Sequence, residues 1–413
     1  MLELFLYNII KRTPRIKNVV RTCYQVAFLP WIGPRYTGTA TLITRSGYFF
    51  GFHDKTPWCP RNRYLLAHRI TGSFDPAKSS VEVGYFVNSQ LTEFIPIDTT
   101  EAWSKQQGAQ LQWCGEDIIY NTRRGDGKAV GVIASIRSGE KRLLDFPIGA
   151  VDSRGRYACA VEFGSFGHGM PGYGYGSWAF DSYLSHRNDK RATGVTEIDL
   201  RSGEAVTHLE LAELMELVGW QPTTTWHSFI SHIQYSPDGT KISFMVRRAQ
   251  PGRRIESFIC IYNKINRRAT VTNSGPMASH YCWLDNDSIL AFLETLEGRD
   301  EFVIVSASNG QTESVQGLPR WDGHPNFSIQ SQHLVLDSYP DRRRRQALRV
   351  YKRTDRTTFE QLEIMRFYSP LRYRNEDRVD LHPRWDRLGQ SLCVDSSFSG
   401  VRSMTVIAPA PHE

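Results

Sequence analysis

The stretch Ser231–Val246 reads SHIQYSPDGTKISFMV. A histidine is followed three residues later by an aromatic, then by a Ser-Pro-Asp-Gly turn, then by an apolar alternation of period two. Such alternation after a turn marks a strand, because successive side chains point to opposite faces. The pattern recurs in SHYCWLDNDSILAFLE (279–294), GHPNFSIQSQHLVLDS (323–338) and LHPRWDRLGQSLCVDS (381–396). Earlier copies are DKTPWCPRNRYLLAHR (54–69) and, with a shorter turn, AQLQWCGEDIIYNTR (109–123). In GAVDSRGRYACAVEF (149–163) Val151 takes the aromatic place. The anchors are therefore Trp58, Trp113, Val151, Tyr235, Trp283, Phe327 and Trp385, with gaps of 55, 38, 84, 48, 44 and 58 residues.

Repeats of ~40–50 residues carrying several strands each predict an all-β, seven-bladed β-propeller. One blade cannot bury both of its faces; seven in a ring bury one another. The widest gap holds the Gly-rich insertion GSFGHGMPGYGYGSW (164–178) and the charged stretch HRNDKRATG (186–194). Helical patterning is confined to the N-terminus and to LELAELMELVGW (209–220). The last copy leaves room for about three strands, so a strand near Thr39–Thr44 is expected to complete that blade and protect the seam. The predicted organisation is an N-terminal arm over 1–38 and a propeller over 39–413.

The 413 residues are 40% apolar and 23% charged, a globular balance. No run of 18 apolar residues is available to form a membrane-spanning helix. Seven cysteines, an odd number with no CxxC pair, argue against a disulfide framework or a thiolate zinc site. A reducing, cytoplasmic setting is the expectation. The net charge of +7 is compatible with an acidic partner. Residues 1–30 interleave Lys11, Arg12, Arg15, Lys17 and Arg21 with apolar side chains. Two uses stay open: an arm packed on the domain with its basic side in water, or a segment lying on an anionic membrane surface at its inner face. There is no GxxxxGK[ST], strand-borne GxGxxG, HExxH or GxSxG motif. The run Arg342–Arg345 reads as a solvated hairpin tip, and no nucleic-acid partner is expected.

The residue three positions before each anchor faces the central channel of such a fold. In blade order these are Lys55, Gln110, Ile148, His232, His280, His324 and His382. Four of only twelve histidines thus fall at one register in four successive blades. Converging imidazoles suit a divalent metal ion (Mn, Zn or Ca). The other reading is that they bond backbone and hold each blade start in place. In the first blade, His53 and His68 are expected near the top of the channel, where a histidine pair can supply a base and an acid. Gln110, Tyr120, Asn121, Arg123, Glu162, His168, Tyr173 and Tyr175 are the neighbouring polar candidates.

The block QQGAQLQWCGEDIIYNTR (106–123), the His-Pro-x-aromatic copies and DSYPDRRRRQ (337–346) resemble seven-bladed propellers related to oligogalacturonate lyase. The resemblance spans nearly everything after residue 38. It implies a polysaccharide lyase-like propeller with a metal held by channel histidines and a glutamine. His232, His280, His324 and His382 match the histidine pattern, and Gln110 is the available amide. Ulvan and rhamnose–glucuronate lyases use two histidines from one blade with a tyrosine and an arginine from the next. His53 and His68 look similar in placement, with Arg123 as the arginine and Tyr120 as a weaker match.

The implied function is β-elimination at a uronic-acid residue of an acidic polysaccharide or oligosaccharide. Arg123 or a metal neutralises the carboxylate, His53 or His68 takes the proton, and the other histidine or Tyr173 protonates the leaving oxygen. Lys55, Gln110, Tyr120, Asn121, His168 and Tyr175 are then substrate contacts. Secreted relatives carry signal peptides and this sequence shows none, which suits surface-polysaccharide handling on the cytoplasmic side. The alternative is a non-catalytic glycan-binding or scaffolding propeller in a membrane-associated polysaccharide assembly.

Overall fold

The computed structural model describes residues 14–28, 33–273 and 275–408. Seven antiparallel sheets follow one another in chain order as blades 1 to 7. Their inner strands contain Tyr48–Phe49, Gln112–Cys114, Ile148–Val151, His227–Tyr235, Ala278–Trp283, Pro325–Ser328 and Arg384–Trp385. Every anchor pairs with the second strand of its own blade just before the turn. The pairs are Trp58 with Leu65, Trp113 with Ile118, Val151 with Ala158, Tyr235 with Ile242, Trp283 with Ile289, Phe327 with Leu334 and Trp385 with Leu392. The predicted repeat is the blade.

The ring closes as expected. Thr41–Ser46 is the outermost strand of blade 7 and pairs in register with Ser403–Ala408. A second N-terminal piece, Tyr36–Thr37, adds a fifth strand to blade 6 by pairing with Arg366 and Phe367. Apolar side chains fill the spaces between blades. Met245, Ile259 and Ile261 of blade 4 pack with Tyr281, Trp283, Ile289, Val303 and Val305 of blade 5. At the seam, Trp58, Leu65 and Phe86 of blade 1 pack with Cys393, Met404 and Val406 of blade 7. Each such side chain contributes about 1.5–3 kcal/mol on burial, a gain neither blade realises alone.

The inner strands start on one face, which also carries the second-to-third-strand loops. The Gly-rich insertion lies between Tyr157–Ala160 and Val195–Asp199 and so sits on this face. It is more helical than expected, with helices Phe163–Gly169 and Ser177–His186. Glu162 caps the first by accepting from the Gly164 amide at 2.9 Å. The glycines serve close backbone contact. A Cβ on Gly174 would stand 2.1 Å from the Gly167 Cα, so two chain segments cross there.

The arginine run is only partly solvated. Arg342 and Arg343 are exposed, but Arg344 is 3% exposed. Its guanidinium donates to Ser369, to the Pro370 and Tyr373 carbonyls, and to Gln25. Gln25, on helix Pro14–Ala27, in turn donates to the Pro340 and Asp341 carbonyls. The helix therefore docks on blade 6 through one buried polar knot. All seven cysteines are free thiols.

Candidate functional site

Each blade must turn its chain from the preceding outer strand into the channel. Blade 4 does so with a register shift between Ser231 and Gln234, and blade 5 with one between Ala278 and Tyr281. Gln110, His232 and His382 hold left-handed backbone at φ 57°, 53° and 42°. A bulge with one residue in that conformation re-aims a side chain, here into the channel. The three-before-anchor register thus has a physical basis.

Four imidazoles gather there. Ring centroids of His280 and His324 lie 4.1 Å apart, and those of His324 and His382 lie 4.3 Å apart. His53 sits 5.3 Å from His324 and 5.8 Å from His280. His232 stands apart, because the Phe52 ring lies between, 4.9 Å from both His232 and His382.

Each ring of the four is fixed through Nδ1. His53 bonds the Pro325 carbonyl at 2.7 Å and His382 the Gly51 carbonyl at 3.0 Å. His280 bonds Asp322 at 3.0 Å and His324 bonds Asp337 at 2.9 Å. Asp337 also accepts the His324 and His382 amides, which ties blades 6 and 7. Acceptors on Nδ1 leave Nε2 as the free ring nitrogen. Nε2 of His324 and of His382 is buried without a hydrogen bond, as is Oδ1 of Asp380. Candidate ligand atoms of His324, Asp380 and His382 all lie within 4.8 Å of one another. A carbonyl or carboxylate behind a neutral imidazole is the arrangement that orients metal-binding histidine. The donor set fits a divalent cation.

The four rings do not titrate alike. Burial, then the neighbouring His324, holds His53 and His382 well below the ordinary histidine value. Burial also lowers His280, against the pull of Asp322. For His324 burial is outweighed by Asp337, so it is raised. For Asp380 burial is outweighed by Arg378 and His324, which keep the carboxylate ionised.

A cap covers the cluster. Arg378 donates to Asp380 at 2.5 Å and to the Tyr173 hydroxyl at 2.6 Å. Gln106 bonds the Arg378 carbonyl at 3.0 Å and the Gly172 carbonyl at 3.3 Å, and Lys105 pairs with Asp377 at 2.5 Å. The glycine-rich insertion, the blade 1–2 loop and the blade 6–7 loop thus meet over the channel. A surface cleft of about 540 Å³ is lined by Lys105, Leu371, Arg372 and Asn375–Asp377.

Buried Arg247 makes no ion pair among the described residues, although Asp322 acts on it at longer range. Arg247 is 5% exposed; its terminal nitrogens meet the sulfurs of Met170 and Met245, and its Nε has no partner. Burial brings it down to about 10, eased by Tyr173, Tyr281 and Tyr339. It acts electrostatically on both His232 and His280.

Several expected residues lie elsewhere. His68 is wholly buried, stacked on Phe49 at 4.7 Å, and its Nε2 accepts from the Ala109 amide at 2.9 Å. It belongs to the contact between blades 1 and 2, because its strand is the second of the sheet. Arg123 is a surface residue, paired with Glu101 at 3.1 Å and lying over Trp178. Tyr120 is core, bonded to Asp98. Asn121 clamps Ile148 through both amide atoms and bonds the Tyr175 hydroxyl at 2.7 Å, so both are internal struts. Gln110 is held by Gln107 at 2.7 Å. Exposed His168 stacks on Phe180 at 4.0 Å. Lys55 pairs with Asp54 at 2.6 Å and acts electrostatically on His232. Tyr173 is in the cap, 5.8 Å from His232. Asp380 and Arg247 were not anticipated. Asp380 lies two residues before His382 in the chain, and that proximity in sequence was the available signal for the first.

His68 carries a pH prediction. Burial lowers it from 6.5 to about 4. Below pH about 6.5 the unfolded chain takes up a proton that the folded protein refuses, so its contribution is full above that pH. It is lost as pH falls towards 4, at a cost of about 3 kcal/mol. His68→Gln should flatten this acid limb in urea unfolding measured from pH 4 to 8. Parallel profiles for the two proteins would refute the assignment.

No protein-family model matches the chain, and no curated protein matches it in sequence. Solved structures do match in fold. An oligogalacturonate lyase from Vibrio parahaemolyticus aligns over 91% of this chain and 98% of its own, with TM-score 0.58 and 11% identity. An oligogalacturonate lyase in complex with manganese aligns over 92% and 98%, with TM-score 0.60 and 10% identity. The chain is a seven-bladed propeller of the architecture those lyases share.

Proposed function

We propose that this propeller is a metal-dependent lyase that cleaves an acidic glycan by β-elimination beside a uronate carboxylate. The observation that carries the reading is the cluster of His53, His280, His324 and His382 with Asp380, each imidazole oriented through Nδ1. The likeness to a manganese-containing oligogalacturonate lyase supports manganese and a uronate oligosaccharide as first choices.

His324, Asp380 and His382 would hold the ion, with His53 and His280 beside them. When bound, the cation supplies positive charge that makes the proton next to a uronate carboxylate more acidic. Arg247 supplies the protein's own charge for that carboxylate. His53, neutral with Nδ1 committed to Pro325, offers Nε2 as proton acceptor for C5–H. The electrons of that bond form the C4–C5 double bond as the C4–O bond breaks. Tyr173, polarised by Arg378, gives the leaving oxygen its proton.

The test is ultraviolet absorbance of the unsaturated uronate product, with and without manganese, over a panel of uronate oligosaccharides. Arg247→Met sharpens it. A hydrogen bond to a charged group is worth about 1.5–3 kcal/mol, so KM should rise roughly 10–100-fold. Thermal stability should hold or rise, because a buried unpaired cation is removed. A variant that loses stability and keeps KM would assign Arg247 to structure instead. Burial of the whole cluster under the cap favours one other reading, a glycan-binding scaffold. That reading requires no product on any substrate.

A further inference from the structure

The helix Pro14–Ala27 is seated on the propeller through Gln25 and leaves several apolar side chains exposed. Gln25 is 4% exposed and locked to the turn 340–344 of blade 6. Val19, Val20 and Val26 are 63%, 40% and 45% exposed, and Cys23 is exposed with them. Spacings of one, four and seven residues put these four on one face, away from Gln25. The helix sequence also carries Arg15, Lys17 and Arg21, and Lys11 and Arg12 precede it.

Arg344 binds Gln25 and also the carbonyls of Pro370 and Tyr373, so helix, turn and blade 6–7 loop form one unit. Around that knot stand four exposed arginines, Arg342 and Arg343 in the turn and Arg372 and Arg374 in the loop. The Asp341 carboxylate in the turn is engaged by the Arg343 and Arg345 amides. A row of exposed valines beside a belt of arginines is complementary to acyl chains below an anionic headgroup layer. No helix among the described residues is long and apolar enough to cross a membrane.

We propose that this helix and the arginine belt form a docking surface for an anionic lipid bilayer. Valines enter the acyl boundary and the arginines meet the headgroups. The turn and loop lie on the face where the inner strands begin, so docking turns the capped channel mouth towards the membrane. The proposal rests on surface chemistry alone and stands whether or not the channel is catalytic.

The test is co-sedimentation of the full chain with vesicles of phosphatidylcholine alone and of phosphatidylcholine mixed with phosphatidylglycerol. Binding is expected to the mixed vesicles only and should be released by salt. Val19→Asp with Val20→Asp should abolish it, while leaving the melting temperature unchanged because both side chains are exposed. Arg342→Gln with Arg343→Gln should weaken it by about fivefold per charge. Failure to bind either vesicle overturns the proposal. So does binding that the valine variant retains, or a dimer in solution that the valine variant dissociates, which would make a second copy the occupant.

Discussion

On the proposed lyase reading, His382→Ala is expected to weaken manganese binding and to lower the elimination rate by about 10³-fold, several kcal/mol of transition-state charge stabilisation. His382 is wholly buried, its Nδ1 is spent on Gly51, and its Nε2 makes no hydrogen bond. His232→Ala is the informative partner. Phe52 stands between His232 and the cluster, so metal content should survive that change. Metal titration by calorimetry, with circular dichroism to confirm folding, reads both. Equal metal loss in the two variants would restore His232 as a ligand. Unchanged affinity in His382→Ala would remove the ion from this place.

The largest effect on stability is expected at Asp395, at the seam where the last blade meets the first. Its carboxylate is wholly buried between Arg384 at 3.2 Å and Arg402 at 3.0 Å. It also accepts the amides of Phe50 at 3.0 Å and Gly51 at 3.2 Å. Asp395→Ala leaves two buried guanidiniums facing each other and two amides unbonded. Removing one partner of a buried pair costs about 3–5 kcal/mol. The cost reaches the site, because Gly51 passes its carbonyl to both His382 and Arg384. Gly51 itself has little freedom: its φ is 124°, and a Cβ would stand 2.9 Å from the Gln107 carbonyl. Denaturant unfolding should show the loss, and metal affinity should fall with it. A change below about 1 kcal/mol would mean that the seam is held by its apolar contacts alone.

Much of this was legible along the chain. Anchor aromatics recur because six of the seven blades place a large side chain at the end of the inner strand, Val151 being the exception. The four-histidine register was visible because it belongs to the same local unit. Residues that act across blades were harder. His68 looked like the partner of His53, yet the second strand of a blade presents that position to Gly108 and Ala109 of the next. Arg123 had the right type and the wrong exposure. Arg344 was hidden inside a run of four identical residues, and partners distant in sequence, Ser369 to Tyr373 and Gln25 more than 300 positions away, distinguish it.

Sequence alone therefore determined the seven-bladed ring, its closure by an N-terminal strand and the histidine register. These follow from turn chemistry and strand periodicity, which are local. Tertiary structure decided which histidines meet, that Phe52 parts His232 from the rest, and that Asp380 joins them. It also left Arg247 with no ion pair among the described residues. The physical reason is that a channel is assembled from one short strand of each blade. Which side chains share that space depends on bulges and positive-φ residues that rotate them by amounts no linear spacing records.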